Sequence, residues 1–568
     1  MKKFLLLFFL FAAMYLIPLG GRPMVVPDEF RYGQIPWEML EFGNFAAPQM
    51  FGHPYFEKPV LGHWLTAANL YLFGYNAFAV RLSSALLTGL TACFVGLLIF
   101  ISLKDKRLAA LGSMMYLGCG MVYALGIFSV LDAPVTMFST AALFCAFAYL
   151  QKERPVPVRI ALLILCGIFC GLGFMTKGAP AWVAPALGTA GFIIWQKRWK
   201  EFLIMPPLPL LFCVLTILPW AWAAHQADGD FWRYFIEVEH IQRFTESGKG
   251  QHPKPWWFLL PFFAGGVFPA AFLLVSGWGN VRKILKQMLG VPVYRFAACC
   301  TFLPLLFFSC SSGKLPTYIL PCFSGAAVLM AGFCATALRS CDKSEKYLDR
   351  LFLGCGWFFA VAGILAVPAG YLMKFYFISD YRVGALAPAI LAVGACSAAS
   401  GTLLLWSQKK KLTDRLYFFA LLFALPALVV PFFISSEING DKMPEDEMRE
   451  MISQFNIVPG QVHVVTSSSL MHAGGWCFRT RDVQTLRSPG EMKYAARRAV
   501  AEKRRPLVLD NAGFNALLKS RDRKDVVYIY RTKKKPEKTR GITHANEYHG
   551  KELSARYYPV AGKVSGEK

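Results

Sequence analysis

Apolar runs long enough to cross a bilayer follow one another from the start of the chain to about residue 435, separated by more polar loops. A spanning helix needs about 17–25 predominantly apolar residues. By that measure about thirteen helices are expected, near 4–19, 82–103, 108–128, 134–150, 160–175, 179–195, 203–224, 257–278, 294–310, 315–338, 351–373, 384–406 and 416–434. The pattern predicts a polytopic α-helical membrane protein. The first run follows Lys2 and Lys3 and reads as a retained helix, since no convincing small-x-small cleavage site follows it. Beyond residue 435 the character changes. QVHVVT (461–466), PLVLD (506–510) and VVYIY (526–530) read as short strands, and 445–454 and 491–502 as helices. Alternating strands and helices predict a small α/β domain over 436–532. The basic, Gly-containing tail 533–568 is expected to be flexible.

Loop charges orient the helices. Lys and Arg cluster at 104–107, 152–159, 197–200, 282–286, 339–350 and 409–415, at every second loop. One orientation satisfies all of them, with the N-terminus cytoplasmic. The membrane domain 1–435 then carries two long periplasmic loops, 20–81 and 225–256, and shorter ones at 129–133, 176–178, 311–314 and 374–383. The C-terminal domain is expected on the same side; the location expected for the chain is the bacterial inner membrane. A formal net charge of +25 calls for anionic partners. For so apolar a chain these are membrane lipids and phosphates rather than nucleic acid. The fifteen cysteines mostly lie inside apolar runs, with no disulfide framework or zinc spacing.

Candidate chemistry sits in the periplasmic loops. Pro27-Asp28-Glu29-Phe30-Arg31-Tyr32 places two carboxylates where a helix cap or a reacting centre would each make sense. Pro54-Tyr55-Phe56-Glu57-Lys58-Pro59 reads as an interfacial aromatic belt with an ion pair, or as a phosphate grip. Asp132 precedes a proline between two helices, as turn aspartates often do. Lys177 ends a helix on the face that disfavours lysine. Glu239-His240-Ile241-Gln242-Arg243 offers a histidine, which a structural hydrogen bond would also explain, and a cation. Ser312-Gly313-Lys314 opens a helix bearing Tyr318, where the lysine could bind phosphate or snorkel. None of these decides anything alone. Placed on one side of the membrane, they suit chemistry on phosphate-bearing lipids.

Taken in order and at these intervals, PDEFRY, PYFEKP, MTKG, VEHIQRF and SGKLPTYILPCF closely resemble the bacterial 4-amino-4-deoxy-L-arabinose transferases of lipid A. These belong to the protein O-mannosyltransferase-like group of the GT-C membrane architecture. The resemblance runs from Pro27 to about Cys322 and continues weakly into the soluble domain. It implies an inverting glycosyltransferase that moves aminoarabinose from undecaprenyl phosphate to a lipid A phosphate. Such a change to lipopolysaccharide gives resistance to polymyxin and cationic peptides. Carried onto matching positions, Asp28 would be the central carboxylate and Asp132 its acidic neighbour. Lys58, Arg243 and Tyr318 would hold the carrier phosphate, helped by Arg31, Tyr55 and Lys177; Glu57, His240 and Lys314 complete the expected substrate-binding set. The resemblance also allows a divalent metal near Glu57, as in some relatives, but the rest of its coordination does not map onto this sequence by motif, and no metal or other cofactor is assigned. Two features depart from the family: Trp257-Phe258 stands where a tyrosine pair is usual, and the tail has no counterpart. Two other readings stay open. One is a related transferase with another sugar or a protein hydroxyl acceptor; the other, more remote, is a lipid or sugar transporter.

Overall fold

The apolar runs fold as helices of bilayer length, as a computed structural model shows for residues 9, 11–151, 154–242, 254–376, 381–433, 442–490, 492–520, 523–532, 546–550 and 553–560. Among the described residues nine helices are long and apolar enough to cross a membrane, from Ala77–Leu103 to Asp414–Pro431. Ala179–Trp195 and Trp256–Gly266 are shorter apolar helices. The first expected run, 4–19, lies mostly outside the described residues; its end continues as short turns at Ala12–Leu16 and Ile17–Gly20.

Two expected helices are broken, and each break answers the other. The 108–128 run is split into Lys106–Leu117 and Gly120–Gly126, and the 257–278 run is interrupted before Pro269. Gly120 N donates to Phe268 O at 2.7 Å, and Ala270 N to Gly118 O at 3.3 Å. Backbone groups freed inside a membrane must find partners within the protein, and here two interrupted helices supply them. Glycine is required at 120, because a Cβ there would stand 2.9 Å from Phe268 O.

The long first loop is itself folded. It contains the helix Asp28–Phe42, a hairpin of β1 (Gln49–Met50) and β2 (His53–Pro54), and the helix Leu61–Phe73. Gly43, at φ 75°, ends the first of these. The next span starts at Ala77 rather than 82, because Asn76 caps it by accepting from Ala79 N at 2.9 Å.

The C-terminal domain holds a six-stranded sheet of β3 (Val462–Thr466), β4 (Val483–Leu486), β5 (Val508–Leu509), β6 (Asp525–Arg531), β7 (Asn546–His549) and β8 (Leu553–Tyr558), in the order β5-β4-β3-β6-β8-β7. The first four strands run parallel; β8 is antiparallel to both β6 and β7. This corrects the expectation of a flexible tail, since part of 533–568 builds two strands. β8 buries Leu553, Ala555 and Tyr558 and covers a β6 edge that would otherwise present unpaired backbone groups. The domain docks on the first loop. Val26 N donates to Lys442 O at 2.8 Å, Gln34 Nε2 to Thr480 O at 3.3 Å, and Trp476 packs where Gly33 leaves room for its ring. One apolar core runs through both parts.

Candidate active site

Folding brings the candidate loops to one end of the helix bundle. The basic loops lie at the other end, where Arg339 pairs with Asp105 at 3.2 Å and Lys283 donates to Ser340 O.

The carboxylates of Asp28 and Glu29 part company at once. Glu29 is fully buried and gripped by two arginines, Arg22 at 2.7 and 3.0 Å and Arg81 at 2.7 and 2.8 Å. It also accepts from Val25 N and Ser129 N. Burial pushes the Glu29 carboxyl up, but Arg81 and then Arg22 outweigh it and hold it down at about 2. Arg81 spends its remaining donors on the carbonyls of Leu19, Arg22 and Pro23. This knot ties the first-loop helix to the span Ala77–Leu103 and to the 127–130 turn. Asp28 faces outward from the same helix turn and pairs with Arg31.

From Arg31 a line of rings leads to Lys58. The Arg31 guanidinium lies over Tyr32 at 5.1 Å, Tyr32 meets His63 at 5.8 Å, and His63 meets Tyr55 edge-on at 6.5 Å. His63 is fully buried; burial, then Arg31 and Lys58, press its imidazole down to about 3 and keep it neutral. Tyr55 donates to Glu57 Oε2 at 3.2 Å. Lys58 donates to Glu57 O at 2.8 Å and to Glu239 Oε2 at 3.2 Å, joining the two long loops.

Beside this line opens a cavity of about 390 Å³. Its polar wall carries Glu57, Lys58, Asp132, Lys177, Glu239 and Tyr318; Val135, Val183, Phe307 and Phe308 form the apolar wall. Asp132 opens the helix Asp132–Leu150, and Lys177 closes Val156–Lys177, so both helices deliver a charge to the same end. The two pair at 2.6 Å, and the Lys177 ammonium also sits 4.9 Å over the Tyr318 ring. Such a cavity, charged on one side and greasy on the other, fits an amphipathic anion: lysines for a phosphate, apolar rings for a chain.

Not every candidate residue meets the cavity. Lys314 is buried, and its ammonium donates to the carbonyls of Lys254 and Ser311. It braces the turn that carries Ser311–Gly313 and does not line the cavity, which corrects its assignment as a phosphate ligand: a lysine after Gly313 reaches back into its own turn. Asp28 and Arg31 stand beside the cavity rather than on its wall. Arg243 lies outside the described residues, as does the side chain of His240. Two contributors escaped sequence reasoning. Glu239 lies within VEHIQRF, where a histidine and an arginine are the more conspicuous candidates; His63 carries no signal beyond being a lone histidine in an apolar stretch. As for a metal near Glu57, Asp132 and Glu239 are each paired with a lysine, and among the described residues no group of three or more His, Cys, Asp or Glu side chains is arranged to hold a metal ion. The described residues around Glu57 do not fit a metal centre.

Comparisons with known proteins agree on one family. Residues 1–235 match the family model described as dolichyl-phosphate-mannose-protein mannosyltransferase. A protein of Serratia proteamaculans named undecaprenyl phosphate-alpha-4-amino-4-deoxy-L-arabinose arabinosyl transferase is 34% identical over 497 residues, 86% of each chain. One of the same name from Aeromonas hydrophila is 35% identical over 526 residues, 91% of this chain and 93% of its own. The crystal structure of ArnT from Cupriavidus metallidurans bound to undecaprenyl phosphate superposes with a TM-score of 0.80 over 100% of this chain and 99% of that one, at 18% identity, which shows a shared fold. The relatives cover nearly the whole chain, loops and C-terminal domain included, and the chain therefore belongs to the family of undecaprenyl phosphate-alpha-4-amino-4-deoxy-L-arabinose arabinosyl transferases, multi-pass membrane glycosyltransferases.

Proposed function

We propose that the protein transfers 4-amino-4-deoxy-L-arabinose from undecaprenyl phosphate to a phosphate of lipid A, at the periplasmic face of the inner membrane. The observation that carries this is the 390 Å³ cavity, with lysines 58 and 177 on one wall and phenylalanines 307 and 308 on the other. The donor named in the relatives is a phosphate on a long isoprenoid chain, which is the kind of ligand such a cavity fits.

The chemistry follows from charge. When the sugar–oxygen bond breaks, negative charge grows on the carrier phosphate. Lys58 and Lys177 are fixed cations that neutralise it, so no strong general acid is needed. Tyr318 lies under the Lys177 ammonium and fixes its position. An acceptor phosphate is already anionic at neutral pH, so no base has to deprotonate it. Asp28, exposed on one side and oriented by Arg31, then steadies positive charge on the sugar ring or holds the sugar amine. A single displacement inverts the anomeric centre. The resemblance adds Arg243 and His240 to the phosphate- and sugar-binding set. The product carries an added amine, which lowers the negative charge of lipid A and weakens its attraction for cationic peptides.

Purified protein, given synthetic carrier-linked aminoarabinose and lipid A, is expected to add one pentosamine to lipid A, read by mass spectrometry. Sugar consumed without a change in the mass of lipid A would refute the acceptor. No consumption by a folded protein would refute the donor.

A further inference from the structure

A second cavity, of about 360 Å³, lies at the seam between the first loop and the C-terminal domain and shares no residue with the first. The first loop contributes Trp37 and Tyr75; the domain contributes Glu445, Arg449, Trp476 and Arg479. Arg479 ends the helix Met471–Phe478 in the left-handed region, at φ 48°, where a bulky residue is seldom found. That turn lays its guanidinium 5.3 Å over the Tyr75 ring. Two residues on, Arg481 lies 4.0 Å over Phe42. Among the described residues, neither guanidinium has a carboxylate within ion-pair distance. Arg449 differs, pairing with Glu445 at 2.6 Å.

The height of this seam is set by the chain. Tyr75 stands just before Asn76, which caps the span Ala77–Leu103, so its ring sits at the bilayer boundary. Next to it Tyr71, Leu72 and Phe73 expose 80%, 69% and 51% of their surface, as side chains at a lipid interface do. Stacking on an aromatic face restrains a guanidinium while leaving its N–H edge open, and that edge matches a phosphate oxyanion. Carboxylates stand nearby, Glu41 accepting from the Tyr75 hydroxyl at 3.2 Å and Glu445 on the cavity wall, but among the described residues neither pairs with Arg479 or Arg481.

We propose that this seam is a second anion site, taking the phosphate of a membrane lipid headgroup and holding the C-terminal domain against the bilayer surface. It acts apart from sugar transfer, and its occupant need not be a substrate of the reaction. Because Arg479 and Arg481 come from the domain and Tyr75 and Phe42 from the first loop, a bound headgroup engages both at once and resists their separation.

The test uses the full-length protein in neutral detergent, with fluorescent short-chain phosphatidylglycerol as the probe. The double variant Arg479→Gln/Arg481→Gln is expected to bind it about thirtyfold more weakly, from the usual contribution of arginines at an anionic surface. Arg497→Gln/Lys519→Gln removes the same charge from exposed positions elsewhere on the domain and should bind as the parent does. Arg479→Lys keeps the charge but loses the planar fork; a partial loss there supports the site even if the double variant folds poorly. Equal loss in both double variants, or no loss in the first, overturns the proposal. Competition by inorganic phosphate as strong as that by unlabelled lipid would assign the seam to a free anion and overturn the headgroup reading.

Discussion

The Glu29 knot and the wall of the charged cavity are made of the same material, carboxylates held against arginines or lysines, and they differ in access. Glu29, Arg22 and Arg81 are sealed, with every charge answered inside the protein. Asp132 with Lys177, and Lys58 with Glu239, close on each other just as tightly but border open space. A sealed pair can only hold structure. A pair beside a cavity can trade its partner for a ligand: when a phosphate enters, Lys58 and Lys177 can turn from their carboxylates toward it. Pairing by itself therefore does not identify a site; pairing next to room for a substrate does.

The sharpest way to break this comparison is to treat the two clusters alike. Glu29→Ala leaves two buried arginines without a counter-charge, a loss of about 3–5 kcal/mol for such pairs. It is expected to lower the melting temperature in detergent sharply, or to prevent recovery of folded protein. Lys58→Ala removes a cation from the cavity wall and leaves Glu239 next to solvent-accessible space. Its melting temperature should hold, while transfer falls by about 10²–10³, the usual cost of one charge-stabilising donor. A folded, active Glu29→Ala protein, or a Lys58→Ala protein that unfolds, would erase the distinction.

How much of this was legible in the chain follows the same division. The helical membrane fold was visible because apolar length is a local property: among the described residues nine of the helices are of bilayer length, while the 108–128 and 257–278 runs, equally apolar, are broken by contacts that no local pattern announces. Convergence of the loops was visible too, through the alternation of basic clusters. What each charge does was not. Glu29 and Arg81 are 52 residues apart, and nothing local says that one neutralises the other. Arg81 is a cation on the face that disfavours one, and the knot accounts for it as structure. Lys314 misled for the reverse reason, since a glycine-preceded lysine looks like a phosphate grip until its own backbone claims it. β7 and β8 were missed because NEYH is polar and lies in a basic stretch, and a short edge strand takes its identity from its neighbour rather than from its own pattern.

A finer test asks whether the cavity pair behaves as a unit. Asp132→Asn and Lys177→Met should each lower transfer, and the double variant should cost less than the two combined. A coupling of about 0.5–3 kcal/mol is typical of residues in contact. Additive losses would mean that Asp132 and Lys177 serve the substrate separately, with their 2.6 Å contact incidental to the reaction.

The smallest expected effect concerns Glu38, a third kind of buried carboxylate, with no paired cation among the described residues. It accepts from Gln34 Nε2 at 2.9 Å, Phe51 N at 2.6 Å and Gly52 N at 3.1 Å, at the junction of the first loop with the C-terminal domain. Burial raises its carboxyl to about 7, and those hydrogen bonds, with Arg481 farther off, only partly offset the rise. A carboxyl whose folded value is raised is ionised in the unfolded chain above about 4.5 but stays protonated in the folded one, so its contribution to stability is lost as pH rises from about 4.5 through about 7. Glu29, held at about 2, does not titrate there. The buried histidines 53, 63 and 463, lowered to about 4, 3 and 3, act in the opposite sense, losing stability as pH falls below about 6.5. Only a difference between two chains isolates Glu38. The melting temperature of the parent minus that of Glu38→Gln should fall between about pH 5 and about pH 8. A difference that stays level would mean that Glu38 keeps its charge in the folded protein, and that three hydrogen bonds suffice where Glu29 needs two arginines.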